Sequence, residues 1–369
     1  MLILTASVGE GHDLPARVLA RALQPEAEVE ILDTLSIAGR TVRAVAEGGM
    51  RESFGAGRMP WLFDLEYLVF ARVARTRSLG QALLYRLSAP SVLEAIESRD
   101  PDVVVTTYPI ASELLGRLRA SRRLGAPVCS VITDLAGLHY WAHPGCDLHL
   151  VSHPESIAEV ERIAGPGSAR AVRGLTAPAF LSPPGNEEAR RALAVPEDAL
   201  VVTVSGGGWG VGDLAGAVRA VRVLPGVFTL CLCARNEALR TRLEQELGYD
   251  RRVRMVGFVE DMATVLAATD VLVHSTAGLT VLEGYMLGCR VVSYGFSVGH
   301  VRLNERAFVR FGIADVASSR RRLQFAVERG LAAPRVPQIA RFAGLPSASA
   351  LILELASTAG ARLAPPVSR

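Results

Sequence analysis

Lysine is missing from this sequence: all 40 of its basic residues are arginine. That absence removes Schiff-base chemistry and the phosphate-binding lysine of P-loop enzymes, both of which need a primary amine. Aromatic residues are scarce at 6%, and no basic stretch interleaves with them as a strand-binding groove requires, so a formal net charge of +3 speaks against nucleic acid as a partner. No charge-free apolar run is long enough to span a bilayer, and the opening Met1-Leu-Ile-Leu-Thr-Ala-Ser7 lacks the basic start and cleavage site of a signal peptide. The expected location is the cytoplasm, with weak attraction to an anionic membrane surface left open. Five cysteines, odd in number and scattered, fit a reducing compartment rather than a disulfide framework.

What is present, in 369 residues that are 50% hydrophobic and 21% charged, is material for two domains and an ample core. Apolar runs of strand length at Leu2–Thr5, Val29–Leu32, Val103–Thr106, Val128–Thr133 and Leu148–Ser152 alternate with helical patterns such as Leu14–Leu23 and Ile110–Leu124. A second series runs through Leu200–Ser205, Val227–Cys233, Val253–Gly257, Val271–Val273 and Arg290–Tyr294. The expectation is an α/β protein of two Rossmann-like domains with parallel sheets. The turn-rich stretch Gly174–Asn186 puts the boundary near residue 180, and a second proline-containing stretch, Ala332–Pro337, precedes terminal helical segments. The resulting divisions are 1–180, 181–337 and 338–369.

In the second half, Ser205-Gly-Gly-Gly-Trp209 follows a strand and precedes a helix, a place where glycines let backbone N–H groups approach a pyrophosphate. Further on, Thr269-Asp-Val-Leu-Val-His-Ser-Thr-Ala-Gly-Leu-Thr-Val-Leu-Glu283 carries an apolar strand into a small-residue turn and then a helix bearing a carboxylate. Glu283 also fits a capping box with Thr280, and Asp261 in Gly257-Phe-Val-Glu-Asp261 fits an N-cap. In the first half, Ser7-Val-Gly-Glu-Gly-His12 ends the first strand, with Asp13 and Pro15 suited to starting a helix. A histidine at a helix N-terminus is kept neutral by the local potential and suits a general base. Thr133-Asp-Leu-Ala-Gly-Leu-His-Tyr-Trp-Ala-His-Pro-Gly-Cys-Asp147 adds Asp134, His139 and Trp141. His139, His143, His149, His153 and Cys146 invite a metal reading, but the Pro144-Gly145 turn and the strand after it separate them, and no metal site is expected. Between these motifs, the stretch from Arg58 to Arg77 has apolar residues at helical spacing with Trp61 and arginines beside them, a pattern that serves a core or dimer helix as well as a bilayer interface.

Taken in order, these motifs resemble the glycosyltransferase family that includes monogalactosyldiacylglycerol synthases, processive diacylglycerol glucosyltransferases and the GlcNAc transferase of peptidoglycan lipid intermediates. The resemblance implies the GT-B fold, with two sheets facing an interdomain cleft and the last helix packing back on the first domain. It implies a UDP-sugar donor held by Ser205, Gly206, Gly207, Gly208 and Trp209, by backbone around Phe258 and Val259 at the uracil, and by His274, Ser275, Ala277, Gly278, Leu279 and Thr280. Glu283 takes the ribose in this reading. Relatives often have Thr-Lys where His274 and Ser275 stand, so the positive charge seen there is absent. Gly299, His300 and Asn304 fall in the loop that meets the donor sugar, with His300-Val301 replacing a common Gln-Glu. Catalysis falls to His12 or Asp134, and acceptor contacts to Gly11, Trp61, His139 and Trp141. The implied activity is inverting, metal-independent transfer of a hexosyl group, with no cofactor beyond the donor, to a lipid hydroxyl such as diacylglycerol by an enzyme peripheral to the membrane. A soluble or secondary-metabolite acceptor, and a non-catalytic nucleotide-sugar-binding protein, are the rival readings.

Overall fold

A computed structural model describes residues 1–7, 10–39, 74–196 and 198–363. They divide into two compact units: one runs from Met1 to Leu175 and resumes at Leu345, and the other is Thr176–Gly344.

In the first unit, β1 (Leu2–Thr5), β2 (Glu30–Asp33), β3 (Val104–Thr106), β4 (Val128–Ile132), β5 (Leu148–Val151) and β6 (Ala169–Ala171) pair in the order β2-β1-β3-β4-β5-β6. Every pairing is parallel. Its helices include α1 (Glu10–Leu23), α2 (Thr34–Ile37), α3 (Ala74–Glu97), α4 (Pro109–Ala120) and α5 (Ile157–Ala164). The largely apolar character of β1, β3 and β4 goes with unbroken burial on both faces, as parallel sheets under helices require. One face packs Leu2, Leu4 and Val104 against Val92 and Ile96 of α3 and Leu114, Leu115 and Leu118 of α4. Full burial of each such side chain contributes about 1.5–3 kcal/mol.

The start of α1 differs from the sequence expectation. The helix begins at Glu10, so Pro15 lies inside it, and the Asp13 carboxylate accepts from Thr5 Oγ1 at 2.9 Å instead of capping. His12 therefore sits in the first helical turn.

The second unit contains β7 (Leu200–Ser205), β8 (Val227–Leu232), β9 (Val253–Val256), β10 (Val271–His274), β11 (Arg290–Tyr294) and β12 (Asp315–Ala317), in the order β12-β11-β10-β7-β8-β9 and again all parallel. This is the Rossmann order. The helices are α6 (Asn186–Ala192), α7 (Leu214–Val221), α8 (Glu237–Leu247), α9 (Met262–Ala268), α10 (Leu279–Met286), α11 (Gly299–Phe311), α12 (Arg320–Ala332) and α13 (Ile339–Ala343). Val202, Val204, Val271 and Val273 point to a core shared with Leu214, Val218 and Leu323, while Val201, Leu230 and Leu232 meet Val265 on the other face. Among the described residues each sheet thus has six strands where the sequence suggested five; β6 and β12 are three residues long and too polar to stand out as apolar runs.

The last helix, α14 (Ala348–Leu363), belongs to the first unit. Arg173 N donates to the Pro346 carbonyl and Ala348 N to the Arg173 carbonyl, both at 3.0 Å, and Ile352 is fully buried.

Strand order reverses between β7 and β10, and the turns after these two strands are locked together. Ser275 N continues the ladder to the Ser205 carbonyl at 3.1 Å, and Ser275 Oγ donates to the Val211 carbonyl. Gly212 adopts φ +101°, and a Cβ there would stand 2.5 Å from Ser275 Cβ. Both the backbone conformation and the close approach require glycine. Gly212→Ala is expected to cost about 2–4 kcal/mol, combining left-handed strain with overpacking. Denaturant unfolding is the measurement, and a loss under about 0.5 kcal/mol, the ordinary range for a surface change, would show that the two turns are not locked.

Candidate functional site

The locked turns of the second unit and the helix that follows the second of them carry most of the expected donor residues. Ser205 ends β7 and its hydroxyl accepts from Gly207 N at 3.3 Å, opening a single 3-10 turn over Gly207–Trp209. The two neighbouring helix starts then differ in kind. At α7 the Asp213 carboxylate already accepts from Gly216 N at 2.8 Å, and its second oxygen receives the Tyr294 hydroxyl at 3.0 Å with Arg320 at 3.5 Å. That end of the helix dipole is matched by the chain's own anion. At α10 the N-cap is Gly278, with φ +101°, and no side chain caps the helix. Ala277, Gly278, Leu279 and Thr280 present its first N–H groups. The anion-ready start is therefore that of α10, and not α7 as the Gly-rich sequence suggested.

Glu283 lies one turn into α10. It is 3% exposed, its Oε1 has no hydrogen-bond partner in the protein, and burial pushes its carboxyl up to about 8. The helix starts at Leu279, so Thr280 is inside it and the capping-box alternative does not hold. An orphaned buried carboxyl costs about 1–3 kcal/mol or more, and such groups in native folds call for a functional reason. His274, the last residue of β10, is fully buried; burial pushes it down to about 4, and its Nε2 lies 2.8 Å from Thr276 Oγ1. Thr276 was not among the expected residues, although a hydroxyl in a strand-to-helix turn is a readable sign.

Phe258 follows β9 and is 42% exposed, with the Arg235 guanidinium 3.8 Å over its ring. Arg235, at the end of β8, escaped the sequence reading because nothing local marks it. Val259 lies beside Phe258 in the turn that Asp261 closes by capping α9, through Thr264 N at 3.0 Å. The adjoining cavity of about 230 Å³ is lined by Leu230, Leu232, Val256 and Val259, and its Arg254 is spent on the Leu193 and Ala194 carbonyls, so it offers a nucleotide little.

The sugar-side loop needs correction. Asn304 is fully buried and donates to the His300 carbonyl at 3.0 Å, inside α11. Glu305 accepts from Ser293 Oγ at 2.8 Å and from Ser297 Oγ. These two residues build the loop rather than face a ligand. Gly299 begins α11 and is buried, and His300 beside it is half-buried.

In the first unit the equivalent reversal lies between β1 and β3, and His12 spans it. Its Nδ1 donates to the Thr107 carbonyl at 2.9 Å, so in the neutral ring Nε2 is the basic nitrogen. The ring meets Tyr108 edge-on at 5.3 Å between centroids and Trp141 at 5.7 Å. Trp141 is 2% exposed, and its indole N–H donates to Asp134 Oδ2 at 3.0 Å. Trp141 is thus a buried wall behind His12 and not an open platform for an acceptor. Asp33 accepts from Ser7 N at 2.8 Å; burial raises its carboxyl, but the hydrogen bonds from Ser7, Ser36 and Leu35 outweigh this and hold it below the usual range. Gly11 and His139 are exposed, and Trp61 lies outside the described residues. His149 donates Nδ1–H to the Ser168 carbonyl at 3.1 Å and accepts from His143 N at 3.2 Å, which commits both ring nitrogens to the backbone.

Two parallel α/β sheets, one in Rossmann order with a Gly-rich turn and a buried carboxyl at its reversal, form the architecture of the GT-B glycosyltransferases. Residues 19–174 match the family model described as "Monogalactosyldiacylglycerol (MGDG) synthase". The chain is similar to the processive diacylglycerol beta-glucosyltransferase of Bacillus pumilus (strain SAFR-032), with 22% identity over 321 residues, 86% of this chain and 82% of that one. Among solved structures it is similar to the spinosyn rhamnosyltransferase SpnG complexed with spinosyn aglycone, at TM-score 0.62 and 17% identity over 96% of this chain and 99% of that one. It is also similar to Acinetobacter baumannii MurG, at TM-score 0.60 and 18% identity over 97% and 99%. At these identities the two structures bear on the fold alone.

The buried groups give stability a two-sided pH dependence. His274 and His149, both pushed down to about 4, contribute stability that is lost as pH falls from 6.5 to about 4. Glu283 works in the opposite direction: its folded value lies above 4.5, the folded state binds the extra proton, and stability falls as pH rises from 4.5 to about 8. Glu283→Gln should therefore gain on the wild type steadily between pH 5 and pH 8 in thermal unfolding without ligand. A constant difference across that range would show that Glu283 is not held neutral.

Proposed function

We propose that this chain transfers a hexosyl group from a UDP-sugar to a lipid hydroxyl such as that of diacylglycerol, with inversion and without a metal ion. The observation that carries the donor half is Glu283: a buried carboxyl with an orphaned oxygen, at the reversal point of a Rossmann sheet and beside a helix start that no side chain caps. Paired ribose hydroxyls supply the donors that such a carboxylate needs. The Gly-rich turn and the first N–H groups of α10 receive the diphosphate, and backbone around Phe258 and Val259 receives the uracil. Residues Gly299 and His300 border the sugar.

On the acceptor side, His12 is the base. Its Nδ1–H is anchored on Thr107, so Nε2 takes the acceptor proton as the acceptor oxygen bonds to the anomeric carbon and the bond to the UDP oxygen breaks. Asp134 acts through Trp141, holding the wall against which the imidazole rests. Gly11 and His139 are exposed, and in this reading they meet the acceptor. The lipid acceptor is supported by the family model and by the names of the bacterial relatives. Among the described residues no helix is long and apolar enough to cross a membrane, and the proposed location is the cytoplasmic face of the membrane, held peripherally.

Glu283→Gln is expected to weaken UDP by roughly 1–3 kcal/mol, the scale of a hydrogen bond to a charged group, with the fold intact. Because the carboxyl sits at about 8 and must ionise to accept from both hydroxyls, wild-type UDP affinity should rise with pH up to about 8, and the variant should flatten that rise. Calorimetry at several pH values reads both, and pH-independent binding by the wild type would remove the carboxylate from the ribose contact. His12→Ala is expected to keep UDP affinity while turnover drops by about two to four orders of magnitude. Near-normal turnover would pass the base to Asp134. Mass spectrometry of products from a panel of UDP-hexoses and extracted lipids decides the acceptor, and glycosylation of only soluble hydroxyl compounds would rule out a lipid.

A further inference from the structure

We infer that the hydroxyl of Thr276, set in place by the buried imidazole of His274, is the side-chain donor to the diphosphate of the bound nucleotide and does the work of a cation that this chain lacks. The inference rests on the nucleotide reading of the same site.

Four observations support it. Of the other hydroxyls at the two locked turns, Ser275 Oγ spends its proton on the Val211 carbonyl, and Ser205, buried at the end of β7, accepts from Gly207 N. Thr276, half-buried, is the next residue after Ser275 and lies just ahead of the uncapped start of α10. A Cβ built on Gly207 would stand 3.4 Å from Thr276 Oγ1, which places the oxygen against the Gly-rich turn. The nearby arginines are committed elsewhere: Arg235 lies over Phe258, and Arg320 pairs with Asp213.

His274 is a positioning residue in this arrangement. A neutral ring has one N–H and one lone pair, and Thr276 Oγ1 is 2.8 Å from Nε2. With the ring proton on Nε2, the ring donates to the threonine oxygen and the threonine proton is released toward an anion. With the ring proton on Nδ1, the threonine donates to the ring instead. An arriving phosphate therefore selects the first tautomer by moving one proton within the ring, and no net proton is taken up. A polar but uncharged donor pair, enclosed on the protein side, suits an anion whose remaining charge is matched by backbone N–H groups.

The experiment is calorimetry of UDP and of uridine with the wild type, Thr276→Val and Thr276→Ser, together with ¹⁵N resonances of His274. Thr276→Val should lose on the order of ten- to a hundredfold in UDP affinity, the worth of one hydrogen bond to a charged group, and nothing in uridine affinity. Thr276→Ser should recover most of the loss. The His274 nitrogens should move to the Nε2–H pattern with UDP and not with uridine. Full UDP affinity in Thr276→Val, an equal loss for uridine, or unchanged His274 resonances with UDP bound would each overturn the inference. A wild type that binds neither ligand would instead sink the nucleotide reading, and this inference with it.

Discussion

The parallel pairing of β7 with β10 is the constraint on which the donor half depends. Parallel strands must be joined by crossovers, so the chain leaves each strand at the same sheet edge. Where the strand order reverses, two successive crossovers depart in opposite directions, and the turns beginning them stand open side by side. Here those turns are Ser205–Gly212 and Ser275–Gly278, and the approach of Gly212 to Ser275 closes one against the other. That closure sets the Gly-rich turn beside Ser275, Thr276 and the uncapped start of α10.

The electrostatics of the site follow from what the chain leaves out. Without lysine, and with its nearby arginines paired or stacked, the pocket holds a carboxyl and an imidazole that burial keeps neutral. On the proposed reading, charge appears at Glu283 only when a nucleotide binds, while His274 stays neutral. That costs folding stability at Glu283, and it makes occupancy sensitive to pH in a way that a fixed ion pair would not be. Asp213 shows the contrast: it is tied to Tyr294, Arg320 and the start of α7, and serves as a structural anion.

The first unit solves a different problem with a similar sheet. The proposed base is oriented by the place of His12 in the first turn of α1, with its Nδ1 on the Thr107 carbonyl after β3. Trp141 and Asp134 lie on a separate turn and reach His12 only through packing, which is why the pair makes sense as support for the imidazole.

Much of this was legible in the sequence because local chemistry carries it. Apolar runs of strand length alternating with helical periods announce two parallel α/β sheets, and glycines after an apolar run mark turns whose backbone must come close to something. Glu283 and His12 stood out by their places relative to those turns. Only the tertiary structure decided what each side chain faces. Glu283 also fits a capping residue until the helix start is placed at Leu279; Asn304 looks like a sugar ligand until burial turns it inward; Trp141 looks like a platform until its ring is enclosed. Arg235 has no local signature, since its partner Phe258 follows another strand. A sequence records periodicity and turn chemistry because those act between near neighbours, whereas the ionisation and direction of a buried polar group are set by which distant segments surround it.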